Sequence, residues 1–390
     1  MENLYSDIDC IYGWNIPGLL DKIASSTGIS VSLAGQLVTI YALSNAIGTP
    51  IFMLIASKLK EKSQIIISLI MLVVGAIVMI IAQGFFMMVV SRIITGIGAG
   101  VYSVAAYGLA VKLVAPEKQG SAILTVAMGV SSSLVFGVPL GRLISGIHGW
   151  QTIFWVIGTF SFAAIFIVMK IIPNSETMNT EQEIKENHKD ESRFAVLNNP
   201  RIAITLMVTL LMFIGFSIVD TYIAPYLRES MPSMIPNISI ILMFLGVGSL
   251  IGSKLGGFLA DRVGVVKTIT GALKFQAVFL FISTFVSKYI VFGIIVLMLW
   301  DISCWIFGPI QNLNVVSLAP SLSSIALSLN STFVQIGIAI GAGIGGFVVK
   351  NWSILSITWI SGLSVLIGLG FLWISLVMAS EKKNVQESYE

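Results

Sequence analysis

The sequence predicts an all-α integral membrane protein. Of its 390 residues, 56% are hydrophobic and only 11% are charged, where a soluble domain carries about 25% charged residues. Mean hydropathy is +0.94. Eleven apolar runs are each long enough to cross a bilayer, which takes about 20 residues. A net charge of +3 argues against nucleic acid as a partner. Cys10 and Cys304 make neither a disulfide framework nor a zinc site, and His148 and His188 lie in or near loops, so no metal and no cofactor is expected. The opening residues MENLYSDIDC carry three acids and no basic stretch, so they do not read as a secretory signal.

The elements follow in order. Span 1 is abnormal: residues 1–22 read MENLYSDIDCIYGWNIPGLLDK and are apolar only from about Ile11 to Leu20. It is expected to be truncated or altered, with the true start upstream or the first half replaced; the alternative is a polar extracellular tail before a true eleven-helix protein. Spans 2 to 6 are the clear runs 35–56, 64–82, 85–112, 121–145 and 150–172. Spans 7 to 12 are 201–226, 237–260, 267–286, 290–317, 323–349 and 354–379. Connections are short except 173–199, PNSETMNTEQEIKENHKDESRFAVLNN, a charged linker. The expected organisation is therefore a helix bundle over 1–172, a linker over 173–199, a second bundle over 200–380 and a tail over 381–390.

Loop charges set orientation. Lys58, Lys60, Lys62, Lys112, Lys118, Lys185, Lys189, Arg193, Arg262, Lys267, Lys382 and Lys383 fall on one side if the spans alternate. The other side holds Lys22, Arg142, Arg228, Lys288 and Lys350. The linker and the C-terminus are thus expected to be cytoplasmic. The halves also repeat. Lys58 and Arg262 mark similar loops 204 positions apart, and Gly137 and Gly341 mark Gly-rich spans at the same 204. One offset for two landmarks argues for a duplicated six-helix unit.

With those motifs in view, the chain resembles the major facilitator superfamily. GGFLADRVGVVKT (256–268) resembles its signature between spans 8 and 9, and VSRIITGIGAG (90–100) its span 4 signature. GVSSSLVFGVPLGRLISG (129–146) resembles the span 5 antiporter signature, with Val138 set between Gly137 and Pro139. DKIASSTGISVSLAGQLVTIYAL (21–43) resembles bacterial drug–proton antiporters and purine or sugar efflux pumps, and LAPSLSSIALSLNSTFVQIGIAIGAGIGG resembles the purine pumps in particular. The loop SKLKEKSQ lacks the acid–Arg pair that Asp261 and Arg262 supply in the second half. The resemblance implies two pseudo-symmetric six-helix bundles in a bacterial inner membrane. It also implies a monomeric secondary transporter, not an enzyme, that expels a small molecule in exchange for protons. The substrate implied is a purine base or nucleoside, or an amphiphilic drug, with sugars or other metabolites as alternatives. The rival expectation is a degenerate relative made inactive by its incomplete span 1.

Individual residues then take expected roles. Gly129, Gly137 and Gly141 would pack span 5 against the opposite half, Pro139 would bend it, and Gly337, Gly341 and Gly345 would pack span 11 likewise. GAGIGG (341–346) fits a nucleotide-binding spacing but lies mid-helix with no preceding strand. No P-loop appears, which leaves an ion gradient as the energy source. Charges within spans are functional candidates. Spans 1, 4, 7 and 10 line the cavity in the family that the chain resembles, so Asp220 and Asp301 are the proton-coupling candidates. A carboxylate in a low-dielectric site exchanges protons more readily near neutral pH. The alternative is a structural pair of Asp301 with Lys274. Lys254 and Lys274 are expected to snorkel or pair, and Arg92 to organise the cavity electrostatically. Related antiporters carry an acid in span 1, whereas Asp7 and Asp9 precede its apolar half here. Gln311, Asn312 and Asn314, with Asn330, Gln335 and Asn45, could hold a heterocycle, and Tyr102, Tyr107, Tyr222 and Trp305 could stack on it. Asp261 and Arg262 would brace a cytoplasmic loop, with Arg262 facing a neighbouring helix end.

Overall fold

The computed structural model describes residues 17–56, 59–112, 141–171, 200–286, 289–319 and 323–387. Among these no strand occurs, and ten helices are long and apolar enough to span a membrane. In chain order the helices are α1 (17–27), α2 (31–55), α3 (Glu61–Ile80), α4 (Phe85–Lys112), α5 (141–148) and α6 (Gln151–Ile171). They continue with α7 (Pro200–Thr221), α8 (Ile238–Val263), α9 (Val265–Val286), α10 (Ile290–Leu318), α11 (Ser323–Asn351) and α12 (Ile357–Glu387). Numbers thus match the spans. Most of span 5, with Gly129, Gly137 and Pro139, lies outside the described residues, as do Asp7, Asp9 and the 173–199 linker.

Local chemistry sets the boundaries. α1 stops at Gly28, whose φ of 70° favours a residue without a Cβ. Ser30 then caps α2, its hydroxyl accepting the Leu33 N–H at 3.1 Å. α2 is regular over Val31–Leu43, widens into a π-helical turn at Ser44–Gly48, and resumes at Thr49–Ile55. α7 breaks at Tyr222 and is followed by a short helix, Ile223–Ser230, and a 3₁₀ turn, Pro232–Asn237. α12 continues to Glu387, beyond the 380 boundary expected from charge, because Glu381, Lys382 and Lys383 are good helix formers.

Before the linker, α3 packs on α4 and α6, and α2 packs on α4; after it, α7 packs on α11 and α12, α8 on α10, and α9 on α10 and α12. The two sets meet where α2 lies along α11. Glycines and small hydroxyl residues bring these helices close. A Cβ on Gly252 or Gly256 of α8 would run into the backbone of α10 at Ile302 or Ile306. Ser361 and Ser364 of α12 donate to the Gly215 and Leu211 carbonyls of α7, and Ser217 of α7 donates to the Ile338 carbonyl of α11. Outward faces carry bare apolar chains, such as Phe285 at 78% and Trp373 at 69% exposure, which suit lipid.

Two sequence expectations are corrected here. Gly337, Gly341 and Gly345 do not face the opposite half; they receive Leu210, Phe213, Ile214, Ser217, Ile218 and Tyr222 of α7 and its end, within the same set. The seam with α2 uses the neighbouring face of α11. A Cβ on Gly346 would lie 2.5 Å from Gln36 Nε2, and Ser32 Oγ donates to the Gly346 carbonyl at 2.6 Å. A run of glycines every fourth residue marks a close-packed face, but its partner is set by topology. Arg262 likewise makes no contact with a neighbouring helix end among the described residues. It lies over the Phe258 ring of its own helix, 4.3 Å from the centroid, with Asp261 exposed beside it.

Candidate functional site

A small cavity of about 60 Å³ sits between α7, α8 and α10 and is closed on one side by α1. α7 contributes Phe216 and Asp220, with Ile223 just beyond it; α8 contributes Leu242, Leu245, Gly246 and Ser249; α10 contributes Trp300, Asp301 and Trp305; α1 contributes Pro17 and Gly18. Phe216 and Trp300 stack, with centroids 5.9 Å apart and planes at 23°. Three of the sequence candidates, Asp220, Asp301 and Trp305, thus meet at one cavity. Among the described residues that line it, there is no basic side chain.

Asp301 is 6% exposed and accepts a hydrogen bond from the Trp305 side chain. Its Oδ2 has no hydrogen-bond partner among the described residues. That oxygen faces α8 where Gly248 leaves room; a Cβ there would sit 3.1 Å from it. The alternative pairing with Lys274 is not formed, because Lys274 is exposed on the far side of α9. Lys254 is exposed as well. Both can extend along the lipid face toward a headgroup layer.

The other candidates lie elsewhere. Arg92 is buried in α4 with its guanidinium over Phe154 of α6 at 5.2 Å and Tyr41 of α2 at 5.9 Å. Tyr102 is buried in α4, and Tyr222 is buried in the α2–α11 seam with its hydroxyl donating to the Ala342 carbonyl at 3.0 Å. The amides form their own network. Gln311 Nε2 donates to the Thr205 carbonyl and to Thr209 Oγ1, Thr209 donates to Asn330 Oδ1, and Asn330 Nδ2 donates to Asn312 Oδ1. Asn314 Nδ2 stands 3.4 Å from Gln311 Oε1. These groups tie α7, α10 and α11 together and satisfy one another, so a heterocycle would have to displace those bonds. Gln335 is partly buried on α11 and does not line the cavity.

Sequence reasoning missed a second polar cluster, directly above the cavity. Asp21 of α1 receives Arg142 of α5 in bidentate fashion, Nη1 to Oδ1 and Nη2 to Oδ2, each at 2.8 Å, with both side chains 6% exposed. Arg142 Nη1 also donates to the carbonyl of Gly18, a cavity residue. Lys22 Nζ donates to the Arg142 carbonyl and to Ser145 Oγ, each at 2.8 Å. Arg228, from the short helix after α7, approaches Asp21 Oδ2 at 3.7 Å. Burial works against the Asp21 charge, and the bidentate Arg142 contact with Arg228 nearby compensates it. The available signal was that Lys22, Arg142 and Arg228 all belong to the sparse set of charges on one side.

Comparison with known proteins supplies the family. The family model described as Major Facilitator Superfamily matches residues 8–330. The MFS-type transporter YbcL of Bacillus subtilis is 34% identical over 91% of this chain and 89% of its own length. The inner membrane transport protein YdhP of Escherichia coli K12 is 27% identical over 94% of this chain and 91% of its own. The crystal structure of the nucleoside transporter NupG superposes with a TM-score of 0.75 at 13% identity, covering 96% of this chain and 98% of that one. An all-helical fold with ten described spans, matched along nearly its whole length, makes this chain a multi-pass membrane transporter of the Major Facilitator Superfamily.

Proposed function

We propose that the protein is a proton-coupled efflux transporter of a small amphiphilic molecule in a bacterial inner membrane, working by alternating access. The observation that carries this reading is the pairing of Asp220 and Asp301 on one cavity roofed by a different part of the chain. Carboxylates in such a site can take up and release protons as the cavity opens to either side. The two bundles, 1–172 and 200–380, would rock about the α2–α11 seam, with the linker and C-terminus cytoplasmic. The Asp21–Arg142–Arg228 cluster would then close the outer mouth. Of the substrate classes weighed, an amphiphilic drug-like molecule fits better than a purine base, because the amides expected to read a heterocycle are bonded to each other.

The test uses everted vesicles with an imposed pH gradient and labelled purines, nucleosides, sugars and amphiphilic drugs. The parent should accumulate an amphiphile against its gradient. Asp220→Asn and Asp301→Asn should each abolish gradient-driven accumulation yet spare passive exchange. If both variants concentrate substrate as well as the parent, neither acid couples. If the parent moves nothing, the reading of an inactive relative prevails.

A further inference from the structure

We propose that the groove between α9 and α12, in the leaflet on the linker side, is a docking site for an anionic glycerophospholipid, with its phosphate held between Lys267 and Lys274. α9 contains these two lysines and no acid, and α12 has no charged residue from Ile357 to Ser380. The lysines are seven residues apart, two helical turns, so they share one face of α9. Both are exposed, and neither has an ion-pair partner among the described residues. Lys274 lies nine residues into α9, about 14 Å from its start at a rise of about 1.5 Å per residue. The four-carbon stem of a lysine is too short to carry its ammonium that far. A cation left in hydrocarbon is costly, and the cost falls when the bilayer thins and a headgroup comes down to meet it.

The surroundings of the two lysines fit a headgroup. α9 and α12 run antiparallel, and their register is set by Phe281 against Gly362 and by the Thr284 and Thr358 hydroxyls at 2.8 Å. Counting along both helices from those contacts puts Trp373 at the height of Thr270, between the two lysines. Its side chain is exposed, and tryptophan favours the boundary between headgroups and acyl chains. On the face of α9 between the lysines stands Gly271, where an added Cβ would meet nothing within 4 Å. The backbone there is open to a ligand group. The N-terminus of α9 adds the positive end of a 22-residue helix beside Lys267. Further along, Phe275, Val278 and Phe285 are exposed and give acyl chains an apolar track. Two cations and a positive helix end match a headgroup of net negative charge, and basic sites between spans on this side of a membrane suit such lipids. A zwitterionic headgroup brings its own ammonium, which the same groups repel. The site is separate from the cavity and does not depend on what the transporter carries.

The experiment counts lipids bound to the full chain, stripped in neutral detergent, by native mass spectrometry during titration with phosphatidylglycerol or phosphatidylcholine of equal acyl chains. The expected result is one phosphatidylglycerol held in clear preference to phosphatidylcholine. Lys267→Gln and Lys274→Gln should each weaken it about fivefold, the scale of one basic residue near an anionic lipid. The double variant should remove the preference, and Lys274→Arg should keep it. Gly271→Leu should weaken binding with no change of charge. Lys254→Gln is the control: Lys254 is also exposed and lies ten residues before Gly264, as Lys274 lies ten after it, so its loss should leave binding unchanged. All these positions are at least partly exposed, and elution on size exclusion like the parent's checks that each variant is folded. Equal binding of the two lipids, equal weakening by Lys254→Gln, or undiminished binding by the double lysine variant or by Gly271→Leu overturns the proposal. Displacement of the lipid by excess inorganic phosphate overturns it as well, since the site would then take soluble phosphate.

Discussion

At the scale of single residues, the decisive groups are two acids in different settings. Asp21 is ion-paired, whereas Asp301 has no ion-pair partner among the described residues. Removing one member of a buried ion pair strands the other charge, which costs about 3–5 kcal/mol. Arg142→Ala should therefore lower thermal stability in detergent by an amount of that order, and the double variant Asp21→Asn with Arg142→Gln should recover much of it. The pH response of Asp21 has a definite sign. Both of its oxygens are held by a guanidinium that keeps its charge throughout the accessible pH range, so the pair resists acid. Acidifying from about pH 7.5 to 5 should leave the cluster shut, as read by unchanged labelling of a cysteine placed at Ser145, whose hydroxyl bonds Lys22. Neither acid was equally visible in the sequence. Asp220 and Asp301 stand out as charges inside apolar runs. Asp21 sits at the end of a weak one, and its partner lies 121 positions away, so no local pattern joins them.

At the scale of elements, the spans were legible because a hydrocarbon core demands long apolar helices and allows little else. The close-packed faces were legible too, since small residues every fourth position mark them. What they pack against was not, because a glycine face carries no address. Gly341 meets α7 and not the opposite half for this reason. The amide groups show the same limit. Gln311, Asn312 and Asn330 read as a recognition set, and only three-dimensional placement reveals that they bond to one another. The α8–α10 seam gives a graded prediction. Gly252→Leu should force the two helices apart and reduce folded protein recovered from the membrane by size-exclusion chromatography. Gly248→Ala should leave recovery intact but slow turnover several-fold, because its methyl would crowd Asp301 Oδ2 without touching backbone.

At the scale of the whole molecule, α2 and α11 form a joint between residues as far apart as Ser32 and Gly346, 314 positions in sequence. Helices that pack this closely should find each other without a covalent tether. Two fragments made by cutting within 173–199 should co-purify when expressed together, and Gly346→Trp should abolish the co-purification by filling the space that Gln36 and Tyr222 occupy. The Asp21–Arg142 pair has a further consequence, in time rather than space. Ribosomes add about 5–20 residues each second, so Asp21 emerges roughly 6 to 24 s before the arginine that neutralises it. For that interval the nascent chain carries an aspartate and a neighbouring lysine that a bilayer interior rejects. α1 must therefore wait at the water interface while four later spans are threaded, and slip into place only when Arg142 arrives. The order of biogenesis is thus the reverse of the order of synthesis for this one helix, and a stalled ribosome short of residue 142 should hold a chain whose Asp21 is still open to water.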